Sequence, residues 1–315
     1  MSQRIGVLLL TLSICLSCNA QPTAWQPFET TSADGTRIAY YVAGELSPGT
    51  SPLLVVSGGP GSDHRYMRVG GSFERLAEKR AVIMFDQRGT SRSGSVEGKP
   101  RLDQWADDVE AIRSTVGAAK LHLLGHSFGG IVAMNYAERY GDRLASLIFN
   151  NSTAPSIAET GNVLREVFPD RIEEWQSTRA RLPSTFKASE IAVFTSFEFV
   201  DLERLDVFLA AIAEFTYNID VNNALREDMA DLDYTETLAA LSIPALVLHG
   251  RYDPVITPLT AWNLHQLIPQ SDLVILPATG HLPAAEVPDA YVEAVEGFLD
   301  GISLQVGGDS SSRVR

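Results

Sequence analysis

A serine flanked by glycines at a strand-to-helix junction is the first place in this chain where side chains could do covalent chemistry. Gly125-His126-Ser127-Phe128-Gly129 follows the apolar run Leu121-His122-Leu123-Leu124 and precedes a helical pattern through Ile131, Val132, Ala133, Met134 and Tyr136. Such a Gly-x-Ser-x-Gly segment reads as a nucleophile elbow, a turn so tight that the serine is strained and the residues two before and two after it must be small. The elbow sets Ser127 at the amino end of a helix, where free N–H groups and the helix dipole favour a developing negative charge. The chemistry expected is acyl transfer onto the serine oxygen.

A serine hydroxyl is a poor nucleophile until a base removes its proton, so a histidine and an orienting carboxylate must follow, in the order Ser, acid, His. The segment Ile243-Pro244-Ala245-Leu246-Val247-Leu248-His249-Gly250 reads as a buried strand running into Arg251-Tyr252-Asp253-Pro254-Val255. The next strand, Asp272-Leu273-Val274-Ile275-Leu276-Pro277, empties into Ala278-Thr279-Gly280-His281. Asp253 is therefore expected as the acid and His281 as the base, both at the carboxyl edge where open parallel sheets build their sites. The competing readings are a turn aspartate before Pro254 and a surface loop histidine; the elbow decides against them. His122 is expected as a packed core residue and His126 as a structural one on the opposite side of the turn. His249 and His265 are not expected as the base. The other place for an acid, after the strand that follows the nucleophile helix, reads Phe149-Asn150-Asn151 and offers no carboxylate.

Acyl transfer also needs two N–H donors for the oxyanion. Phe128 supplies one. The second is expected from Ser57-Gly58-Gly59-Pro60-Gly61, after the buried strand Pro52-Leu53-Leu54-Val55-Val56, with Gly59 first and Gly58 next. The same residues could make only a turn; beside an elbow they point to an oxyanion hole.

Four blocks carry a family resemblance. They are Ser57-Gly58-Gly59-Pro60-Gly61, Asp86-Gln87-Arg88-Gly89-Thr90-Ser91-Arg92-Ser93, the elbow, and His249-Gly250-Arg251-Tyr252-Asp253. With them, from about Trp25 to Leu299, the chain resembles the α/β-hydrolases of the proline iminopeptidase (prolyl aminopeptidase) family of serine peptidases. It departs from that family at Ser57, Ser91, His126 and Phe128, where histidine, glycine, glycine and tryptophan are usual. The resemblance implies a serine hydrolase releasing an amino-terminal proline or other small residue from small peptides. A carboxylesterase or lactonase on the same scaffold is the alternative, and a non-catalytic binding protein the alternative of another class. Asp86 and Arg88 are expected to tie loops beneath the site.

The elements that must position these residues alternate along the chain. Extended segments at Phe28 to Thr31 and Arg37 to Ala43 precede strands at Leu53, Ala81 to Phe85, Leu121, Leu144 to Phe149, Ile243 and Leu273, with helices between, notably Leu102 to Val116 and Phe128 to Tyr140. That alternation predicts an α/β fold, a mainly parallel sheet covered on both faces. Residues 21–150 and 238–304 form the expected core. Residues 151–237 break the rhythm, with no good strand and amphipathic stretches at Val163 to Phe168, Ile172 to Arg181 and Leu202 to Phe215, and are expected as an inserted helical cap. Residues 305–315 read as a disordered tail. In the related family, cap carboxylates hold the substrate amine; the candidates in this chain are Glu198, whose neighbours Phe197 and Phe199 would lower the local dielectric, and Glu166 or Glu173.

Composition sets the outer limits. A chain of 315 residues, 45% hydrophobic, is long enough for one such domain with an insertion. A net charge of -14 argues against nucleic acid as a partner. No metal-ligand spacing and no phosphate-binding glycine loop is present, so no metal or cofactor is expected, and the partner is a small peptide or ester. Residues 1–20, with Arg4, the apolar run Ile5 to Leu16 and Ser17-Cys18-Asn19-Ala20, read as a secretory signal, so the protein is expected to be exported. Two processing routes fit. One is simple secretion; the other is a bacterial lipoprotein cleaved before Cys18, with lipid on its sulfur as the one route to a membrane. Cys15 and Cys18 are the only cysteines, so the mature chain can form no internal disulfide.

Overall fold

A residue between two helical layers is apolar whichever way it points, and the strands Leu53–Val56 and Val82–Phe85 obey that rule at every position. The computed structural model describes residues 24–181, 183–187 and 196–307. Its strands are β1 (Gln26–Thr31), β2 (Arg37–Ala43), β3 (Leu53–Val56), β4 (Val82–Phe85), β5 (Leu121–His126), β6 (Leu144–Asn150), β7 (Thr185–Lys187), β8 (Thr216–Asn218), β9 (Ala245–Gly250) and β10 (Ser271–Leu276). Eight form one sheet in the order β1-β2-β4-β3-β5-β6-β9-β10. β2 pairs antiparallel with β1 and β4; every later pairing is parallel.

Successive side chains of β3 go to opposite layers. Leu54 and Val56 join the core with Trp105, Ile112, Ile131 and Leu264, whereas Leu53 and Val55 join Phe73, Leu76, Tyr291, Val295 and Leu299. Helices Leu102–Thr115, Phe128–Tyr140 and Pro258–Leu267 contribute to the first layer, and Ser72–Leu76 and Pro288–Gly307 to the second. The solvent-facing β1 is an edge strand and carries the exposed Glu29.

Between β6 and β9 the chain leaves the sheet. It forms helices Leu164–Val167, Pro169–Arg179, Leu202–Ala211, Ile219–Asp228 and Thr235–Ala239. The expectation that this insertion holds no good strand is corrected, because β7 and β8 pair antiparallel within it. Each is three residues long, too short for a period-two pattern to register, and tertiary pairing decides its state. Tyr217 of β8 also bridges to Ser62 of the loop after β3. The last helix runs through Gly307, three residues into the expected tail. The signal segment with Cys15 and Cys18, and the tail beyond residue 307, lie outside the described residues. No helix among the described residues is long and apolar enough to cross a membrane.

Candidate active site

The elbow forms where β5 ends and the helix Phe128–Tyr140 begins. Ser127 adopts φ 54° and ψ −118°, a strained conformation for a residue with a side chain. The glycines around it are required by contact. A Cβ on Gly125 would lie 2.2 Å from the Gly129 carbonyl oxygen, and one on Gly129 would lie 2.2 Å from the Val56 carbonyl oxygen. A third, Gly130, faces the Ser152 hydroxyl, which a Cβ would meet at 1.7 Å. Strand and helix can approach this closely only without side chains, and that approach projects Ser127 from the sheet edge.

His281 and Asp253 arrive at the same edge from the loops after β10 and β9. Their contact is a hydrogen bond from His281 Nδ1 to Asp253 Oδ2 at 2.7 Å. The carboxylate is saturated otherwise: Oδ1 accepts the Val255 and Ile256 amides at 2.9 and 3.0 Å, and Oδ2 accepts Asn151 Nδ2 at 2.7 Å. Burial alone would raise the Asp253 pKa, but the charge and hydrogen bond of His281 hold it below its ordinary value. Burial alone would push the His281 imidazole down; the charge and hydrogen bond of Asp253 hold it above its ordinary value. With Nδ1 committed, Nε2 is the nitrogen left for a proton from Ser127. Ser127 and His281 line one cavity of about 530 Å³ and are not hydrogen-bonded to each other, a contact that commonly tightens only when substrate binds.

His126 is buried and structural in its contacts, yet it borders the cavity instead of pointing away from it. Its Nε2 lies 2.9 Å from the His281 carbonyl oxygen, which can only accept, so Nε2 carries the proton and Nδ1 accepts the Tyr66 hydroxyl at 2.7 Å. Burial lowers its pKa to about 3, so the ring stays neutral. Tyr66 in turn accepts the Gly58 amide. One hydrogen-bonded chain thus ties the loop after β3 to the backbone of the base. The Gly58 N–H is consumed by Tyr66, while that of Gly59 has no acceptor among the described residues. Phe128, first in its helix, likewise has an N–H without an intrahelical partner.

The loop of Gly59 is clamped from two sides. Beneath it, Gln87 Nε2 donates to the Ser57 and Gly58 carbonyls at 3.0 and 2.8 Å. Above it, the cap's Asn218 amide donates to the Gly61 carbonyl at 2.8 Å, and Asn222 Nδ2 donates to that of Pro60 at 3.1 Å. Nearby, Asp63, His64 and Asp86 bring potential ligand atoms within 4.8 Å of one another. All four carboxylate oxygens there already accept hydrogen bonds, from Arg65, Thr216, His64, Tyr41 and the Arg92 amide, which makes the cluster a strut between loop, cap and sheet. Arg88, 1% exposed, spans Asp108 and Asp34 below this layer.

Of the three cap carboxylates expected to read an amine, only Glu198 lines the cavity; Glu166 and Glu173 face solvent. The Glu198 carbonyl oxygen accepts the His281 amide at 2.8 Å, which presses the cap segment onto the base's own loop. Burial raises its carboxyl pKa to about 7, with His281 and Asp253 the charges acting on it. Glu286 holds that junction. Its Oε1 accepts the Val200 and Asp201 amides at 2.7 and 3.1 Å, and its Oε2 accepts Thr279 Oγ1 and the Gly280 amide, each at 2.7 Å. Sequence reasoning did not single out Tyr66, Gln87, Asn151, Asn222 or Glu286. Two of them had a signal: Asn151, standing where an acid could otherwise sit, and Gln87, between Asp86 and Arg88 in a block that carries the resemblance.

Comparisons with known proteins bear on the fold and the family. A sequence model of the family described as alpha/beta hydrolase fold matches residues 51–287. The proline iminopeptidase of Lactobacillus crispatus (strain ST1) is 29% identical over 286 residues, covering 84% of this chain and 95% of that protein. That of Clostridioides difficile (strain 630) is 27% identical over 288 residues, covering 84% and 95%. Among solved structures, the esterase RhEst1 from Rhodococcus sp. ECU1013 superposes with a TM-score of 0.71 at 25% identity, covering 88% of this chain and 99% of the esterase.

Proposed function

The chain belongs to the α/β-hydrolase fold family, and from that premise we propose that it is a serine aminopeptidase that releases proline or another small residue from the amino end of short peptides. Ser127 attacks the first carbonyl carbon while His281 Nε2 takes its proton. Asp253 holds the imidazole in the required tautomer, and the Gly59 and Phe128 amides receive the oxyanion. His281 then protonates the leaving amine, and water, deprotonated by the same nitrogen, releases the acyl group from Ser127.

The observation that carries this reading is the Glu198 carboxylate on the wall that also holds Ser127 and His281. No cation among the described residues is hydrogen-bonded to that carboxylate, so the ammonium of a substrate is the natural partner. The test is a parallel assay of prolyl and alanyl arylamides and short acyl esters with purified mature protein. Arylamide turnover is expected, with Glu198→Gln raising KM for the arylamide far more than for the ester. Turnover of esters alone defeats the reading in favour of the second one, an esterase or lactonase, which the likeness to RhEst1 and the apolar wall formed by Phe208, Ile212, Phe215 and Met229 favour. Failure of both substrate classes, with no labelling by a fluorophosphonate, returns a non-catalytic binding protein.

The same proposal places the protein outside the cytoplasm, processed at residues 1–20 and either soluble or held to the bacterial envelope by lipid on Cys18. Intact mass of the mature chain separates the two.

A further inference from the structure

Among the described residues, the cavity wall carries a single carboxylate, Glu198, and a single guanidinium, Arg226. Arg226 sits on the cap helix Ile219–Asp228. Its Nε donates to Asn222 Oδ1 at 3.1 Å, and Asn222, 1% exposed, is itself fastened to the Pro60 carbonyl. The guanidinium is therefore aimed by a buried side chain anchored on the oxyanion loop. Its two terminal nitrogens have no acceptor among the described residues. The carboxylate next along the helix, Glu227, turns to Lys99 at 3.4 Å. An oriented, unpaired guanidinium beside a largely apolar cavity is suited to an incoming carboxylate, which it can take with two parallel N–H donors.

We propose that Arg226 binds the free terminal carboxylate of a short peptide, so that the site selects zwitterionic di- and tripeptides by holding the ammonium at Glu198 and the carboxylate at Arg226. This names the substrate class and rests on the aminopeptidase reading above. The cavity, about 530 Å³, is of a size for such a molecule. Each added residue carries the carboxylate about 3.5 Å further away, so the gain from a free carboxyl end must fade with peptide length.

The test compares KM and kcat for prolyl-leucine, prolyl-leucine amide and longer prolyl peptides in free and amidated form, on the unaltered protein and on Arg226→Gln and Arg226→Lys. In the unaltered protein the dipeptide amide is expected to show a KM about tenfold above that of the free acid, the size of one charge-assisted contact, with little difference in kcat. That ratio is expected to fall to about one in Arg226→Gln, to be intermediate in Arg226→Lys, and to vanish in peptides well beyond three residues. Equal KM for acid and amide in the unaltered protein, or a ratio that survives Arg226→Gln, overturns the assignment and leaves the aminopeptidase reading standing. If neither dipeptide form is cleaved while short esters are, both fall together.

Discussion

Replacing Asp253 by asparagine exchanges one carboxylate oxygen for an NH2 and so turns a hydrogen-bond acceptor into a donor. In the native site Oδ1 receives the Val255 and Ile256 amides, while Oδ2 receives His281 Nδ1 and Asn151 Nδ2. An asparagine must keep its oxygen on the two backbone amides, since an NH2 there would face two donors. Its nitrogen then faces the N–H of His281. The imidazole resolves the clash by moving its proton to Nε2, so that Nδ1 accepts, and the nitrogen nearest Ser127 is no longer a base. Returning to the productive tautomer forfeits a charge-assisted bond of about 1.5–3 kcal/mol and leaves a buried N–H unsatisfied at about 1–3 kcal/mol. At about 1.4 kcal/mol per decade, kcat is expected to fall roughly a thousandfold or more. Asn151 retains its second bond, to the Gly280 carbonyl at 3.1 Å, so the loops stay in place. The assay is single-turnover acylation by the best arylamide or ester, with circular dichroism to verify the fold. A folded variant acylating within tenfold of the native rate would falsify the assignment of Asp253 as the residue that fixes the tautomer.

Other perturbations probe the scaffold and the charges. Gly129→Ala drives a methyl group to 2.2 Å from the backbone oxygen of Val56, which cannot rotate away, and is expected to cost about 3 kcal/mol in urea unfolding; an unchanged midpoint would contradict the close approach. Glu286→Gln can retain the acceptors at one side of the carboxylate but presents an NH2 to the Val200 and Asp201 amides or to Thr279 and Gly280, with an expected loss of about 2 kcal/mol and faster proteolysis of the cap. The pH dependence follows from two groups. His281, held above its ordinary value, must be neutral to act, and Glu198, raised to about 7, must be ionised to hold an ammonium. Falling pH protonates both, so kcat/KM for an amine-bearing substrate is expected to drop below about pH 7 with a slope approaching two, against one for a neutral ester. Identical slopes for the two substrates would remove Glu198 from amine binding.

Much of this arrangement was legible along the chain because it is local. The elbow is written in five consecutive residues, and Asp253 and His281 each follow a strand whose end must lie at the carboxyl edge. Alternation of buried runs and helical patterns located the sheet, and its break after Phe149 located the cap. What escaped was written in pairings between distant segments. Glu286 looks like any helical glutamate until its carboxylate meets the amides of Val200 and Gly280. Tyr66 and His126 lie sixty positions apart and become one chain only when the loop after β3 folds beside the elbow. β8 is a strand because Thr185–Lys187 and Ser62 lie beside it, and three residues carry too little pattern to announce that. His126 is the last residue of β5, and it borders the cavity because the strand ends there, at the sheet edge where the strained Ser127 begins the turn.

The central claim is that a hydroxyl at the end of β5 is made reactive by an imidazole supplied from the loop after β10. Reaction with a fluorophosphonate, followed by mass spectrometry of the peptides, tests it without knowledge of the substrate. The adduct is expected on Ser127 alone, forming rapidly in the native protein and slower by several orders of magnitude in a folded His281→Ala variant. An adduct on another serine, or labelling of Ser127 at the same rate without His281, would contradict the account.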